Sequence, residues 1–68
     1  MIRYTMLYRF GSDLCKKELG EHPTLQDAVT RSGGLVVNEA ALAVCREADV
    51  RAVGEALTQI HKLEERFL

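Results

Sequence analysis

The sequence predicts a small α+β domain. A three-stranded antiparallel sheet is covered by helices in the order β-α-α-β-β-α, over residues 1–68 as one unit. Three observations carry this expectation. Ile2, Tyr4, Met6, Tyr8 and Phe10 alternate with Arg3, Thr5, Leu7 and Arg9, which is the period of two of a strand. Val50, Val53, Leu57, Ile60 and Phe67 recur at helical spacing near the other end of the chain. A chain of 68 residues has room for one hydrophobic core and a thin stability margin.

The elements follow in order. Residues 1–10 form the first strand and place three of the four aromatic residues on one face, so this strand anchors the core. Gly11 breaks the alternation. Ser12 then has the residue type of an N-cap, and Asp13 sits where a helix dipole favours negative charge. Gly20 suits a helix C-terminus and Pro23 lies just beyond, so residues 13–19 read as a short helix. Thr24 caps the next helix, residues 25–32, with Asp27 three residues on in the manner of a capping box. Gly33 and Gly34 end it. Leu35, Val36 and Val37 form a β-branched-rich run and read as the second strand. Asn38 either caps a helix through Glu39 and Ala40 or opens a hairpin whose return strand is Leu42–Arg46. The hairpin is preferred because three strands make an independently stable sheet. Asp49 caps the last helix, which runs to Phe67 with Ala56 and Leu63 widening its apolar stripe. A partial heptad, 50-53-57-60-67, runs along it and is broken by Glu64.

Composition narrows the function classes. The net charge is -1, which argues against a dedicated nucleic-acid binder. The first seventeen residues are basic, and the following thirty-two carry an excess of acids. Cys15 and Cys45 form no CxxC pair, and the N-terminus lacks a signal-peptide pattern, so both are expected as reduced thiols in a cytoplasmic protein. No apolar run approaches the roughly 20 residues of a membrane span.

The element order resembles that of a type I KH domain, an RNA- and single-stranded-DNA-binding fold. A truncated ferredoxin-like sheet fits the same order. In KH domains a GxxG loop between the first two helices clamps the nucleic-acid backbone. Gly20, Glu21, His22 and Pro23 occupy that place here, with the second glycine missing and a carboxylate added, so the clamp does not carry over.

Other constellations are weak. Tyr4 and Tyr8 could stack bases beside Arg3 and Arg9, but alternation puts the tyrosines and arginines on opposite faces. Cys15, His22, Cys45 and His61 match no zinc spacing. No nucleophile elbow or phosphate loop is present, so neither catalysis nor a cofactor is expected. The expected function is a small protein-binding module. It would be an adaptor, regulator or inhibitor of a larger protein, of the kind mobile elements encode. Single-stranded nucleic-acid binding is the alternative. The candidate interaction surface comprises Arg3, Arg9, Gly54, His61 and Phe67. A thin core, an edge strand and the partial heptad also suggest a homodimer.

Overall fold

A computed structural model describes residues 1–67 of the chain, with side chains as far as residue 66. It is an α+β domain with a three-stranded antiparallel sheet, as the sequence predicts. The element order is β-β-α-α-β-α instead. Strands β1 (Ile2–Phe10), β2 (Asp13–His22) and β3 (Ala41–Arg46) lie in the order β2-β1-β3. Helices α1 (Leu25–Arg31) and α2 (Gly33–Asn38) connect β2 to β3. A 3-10 turn, Glu47–Asp49, leads into α3 (Val50–Phe67).

Two expectations are corrected, and glycine geometry explains both. Residues 13–19 are strand, not helix. Gly11 has φ +63° and Ser12 has none of the positive φ values, which is the turn of a two-residue hairpin loop with glycine first. Phe10 and Asp13 close that loop as a cross-strand pair. Gly20 has φ +85° but does not end a helix. It sits opposite Tyr4 where the register slips, so Leu19 is the extra residue of a β-bulge. Residues 35–37 are helix, not strand. Neither Gly33 nor Gly34 takes the left-handed conformation that would stop the chain turning. The Val36 N–H bonds the Ser32 carbonyl at 2.9 Å, so α2 continues α1 with a break at Ser32. Ala40, at φ 52°, supplies the left-handed residue that ends α2.

The expected hairpin through Asn38 is corrected as well, since Asn38 ends α2 and β3 pairs with β1. Three other expectations are met. Thr24 caps α1, its hydroxyl accepting from the Asp27 N–H at 3.1 Å. The Leu42–Arg46 strand lies within β3, and the last helix spans α3.

β1 is the central strand and is buried on both faces. Tyr4 and Met6 point one way and Thr5 and Leu7 the other, and all four are shielded from solvent. Helices therefore cover both faces. α1 packs across β2 and β3 with Ala28 fully buried, and Leu25 shares a cleft with Tyr4. At the end of α2, Glu39 holds Lys17 at 3.0 Å, and the Lys17 ammonium lies over the Tyr8 ring. α3 crosses the opposite face against β1 and β3. The single core expected from the sequence is corrected accordingly, because the sheet separates Tyr4 and Tyr8 from Val53, Leu57 and Ile60 on α3. Tyr4 is buried, Tyr8, Val53 and Leu57 are half-buried, and Ile60 is 51% exposed.

With the order changed, the KH likeness loses its basis. Gly20–Pro23 is the end of an edge strand and its exit, not a loop between two helices.

Candidate functional site

The α3 face of the sheet holds an open, largely apolar groove. Leu7 and Leu14 from the strands and Val50 and Gly54 from the helix bound this groove of about 450 Å³. It exists because α3 lies over β1 and β3 and leaves this face of β2 partly bare. The missing side chain of Gly54 deepens it. A Cβ there would meet Leu14 Cδ2 at 3.6 Å, an ordinary contact. Charges of both signs rim the groove. Lys16 stands on the strand side, with Arg51 and Glu55 on the helix side, 3.5 Å apart.

A polar ladder closes the hairpin end. Arg9, the cross-strand partner of Leu14, bonds His61 Nδ1. A guanidinium has donors only, so Nδ1 must accept. The proton of the neutral ring then lies on Nε2, which reaches Glu65 Oε1 at 2.9 Å. Arg9 Nε is buried without an acceptor among the described residues.

The structure thus joins Arg9, Gly54 and His61 on one face. Arg3 lies apart, near the far end of the same strand. It bonds Glu21 at 3.1 Å and Glu47 at 3.5 Å, tying β1 to both neighbouring segments. Phe67 ends α3, and its side chain lies outside the described residues. The Tyr–Arg stacking platform is absent, since Tyr4 is core. Sequence reasoning missed Leu14 and Lys16 because their segment read as helix. Glu65 was within reach, four residues after His61 on an evident helix.

Among the described residues two ionisable groups are shifted. The Glu39 carboxylate holds the Lys17 ammonium above its ordinary pKa, against a smaller opposing effect of burial. Burial, then the charge of Asp49, pushes the Cys45 thiol up. Cys15 and Cys45 both carry free thiols. Among the described residues no three metal-ligating side chains converge, and no helix is long and apolar enough to cross a membrane. No protein-family model matches the chain, and neither a curated protein nor a solved structure matches it.

Proposed function

We propose that the chain is a cytoplasmic protein-binding module, an adaptor, regulator or inhibitor that docks on a larger protein. The groove between β2 and α3 carries this reading. Its walls are apolar, and its rim offers both charge signs. A polypeptide segment with an apolar anchor between charged residues fits such a surface, because the anchor leaves water while the flanking charges find partners at the rim. The free thiols of Cys15 and Cys45 fit a reducing compartment.

The test is affinity capture from the native cell, run side by side with the intact chain and with Thr58→Arg. Thr58 is an exposed rim residue, so the substitution fills the groove and spares the core. A protein retained by the wild type and lost with Thr58→Arg supports the proposal. Identical retention by both, or none by either, overturns it. Salt-dependent retention on single-stranded nucleic acid that Thr58→Arg leaves unchanged favours nucleic-acid binding instead.

A further inference from the structure

The two edges of the sheet are unlike. The outer strand β2 carries Asp13, Lys16, Lys17, Glu18 and Glu21, charges of the kind that discourage another strand from pairing. The other outer strand, β3, carries no charge from Ala41 to Cys45, and Leu42 is 45% exposed. Among the described residues β3 pairs only with β1. One side of it therefore presents unpaired N–H and C=O groups along an uncharged run. Leu42 is bulged against β1, but Ala43 to Arg46 pair regularly with Leu7 to Tyr4 and keep that side straight.

α3 leans the same way. Arg51, Glu55 and Thr58 line the groove with Leu14 and Cys15, so their flank of the helix faces β2. At about 100° per residue, Val53, Ala56 and Ile60 fall on the opposite flank, toward β3. Ile60 is 51% exposed, and Leu63, the next of this stripe, is 52% exposed. Val53, Ala56, Ile60 and Leu63 recur at the alternating intervals of three and four that pair helices.

Two unpartnered apolar features thus open in one direction. We propose that a second copy of this chain covers both. The two β3 strands pair antiparallel about a two-fold axis perpendicular to the sheet, and the two α3 helices meet along Val53, Ala56 and Ile60. An antiparallel strand pair is self-complementary under such an axis. Centred on Ala43, it sets Leu42 against Val44 and Ala41 against Cys45, with no like charges opposed. The rotation preserves the faces of the sheet, so the helix beside the edge in one copy lies beside it in the other. A foreign strand would satisfy the edge but bring no matching helix stripe. Few residues of the isolated chain are fully buried, and self-association is a common remedy in domains of this size.

Sedimentation equilibrium at high micromolar concentration tests the pairing with the intact chain, Leu42→Lys, Ile60→Lys and Lys16→Glu. The wild type is expected at twice its 7.6 kDa. Each lysine placed at the interface is expected to weaken association by roughly tenfold or more, because it must lose water there. Lys16→Glu, on the charged edge, is expected to leave it unchanged. A wild type that stays at 7.6 kDa overturns the proposal. So does a dimer that Leu42→Lys and Ile60→Lys leave intact. Hydrogen exchange on the wild type needs no variant. Protection of alternate β3 amides should rise with concentration, and protection independent of concentration overturns the strand pairing.

Discussion

Ala40 holds a left-handed backbone at φ 52°, a conformation that costs a residue with a Cβ about 1–2 kcal/mol. Ala40→Gly removes that cost, while the extra freedom of glycine in the unfolded chain takes back about 0.5–1 kcal/mol. The expected net stabilisation is about 0.5 kcal/mol, read as a higher urea midpoint. Gly54 is the reverse case. Its helical backbone needs no glycine, and a Cβ would sit 3.6 Å from Leu14 Cδ2. Gly54→Ala should therefore gain about 1 kcal/mol of helix propensity and raise the melting temperature. A lower melting temperature would show that Leu14 cannot share the space. The Cys45 thiol, raised first by burial and then by Asp49, holds its proton tightly. Since the thiolate is the reactive form, Cys45 should alkylate slowly near neutral pH, and Asp49→Asn should speed it. Peptide mass spectrometry after timed iodoacetamide exposure measures both rates. Equal rates in the two proteins would remove Asp49 as a cause.

Among the elements, β1 carries the fold because it is the central strand and Tyr4 to Leu7 are buried on both of its faces. Met6 is fully buried, so Met6→Ala should cost about 2–5 kcal/mol in denaturant melts. Leu57→Ala, on a half-buried position, should cost less. Ile60→Ala, half-exposed, should cost about 1 kcal/mol or less in the monomer. The reverse order would move the core from β1 to α3. β1 and α3 were readable from periodicity alone, since one alternates and the other repeats at helical spacing. β2 was not, because its charged residues guard an edge and leave no apolar alternation. The Gly11–Ser12 pair was the available signal, a two-residue loop ending a clear strand. Gly33 and Gly34 misled in the opposite sense. Glycine permits a stop but does not impose one, and α2 turns through both of them.

At the scale of the whole molecule, Lys17 and Cys45 share a sign. Both have pKa values raised by folding, so the folded chain binds their protons more tightly than the unfolded chain. The stability each contributes is complete below its ordinary value, 9.0 for the thiol and 10.5 for the ammonium, and is lost as pH rises through the folded value. Melting temperature should thus fall from about pH 9 upward, and Cys45→Ala should delay the onset relative to the wild type. Matching profiles for the two proteins would exclude the thiol as a contributor. Of the candidate interaction residues, Arg9, Gly54 and His61 lie on the α3 face of the sheet, each half-buried. The groove beside Gly54 is not legible in the sequence, because its other wall is Leu14, in the strand that reads as helix.

The position of β1 in the middle of the sheet sets an order of events. Its first partner follows after two residues, so the β1–β2 hairpin forms by local closure, on the microsecond scale typical of hairpins. Its second partner, β3, arrives only after residues 11–40 have been made and folded back. A chain made only as far as residue 40 therefore has β2 available to β1 but neither β3 nor α3, so nothing yet covers that side of Tyr4, Met6 and Leu7. In that interval the unpaired side of β1 is an edge to which a neighbouring chain on a polysome can mispair.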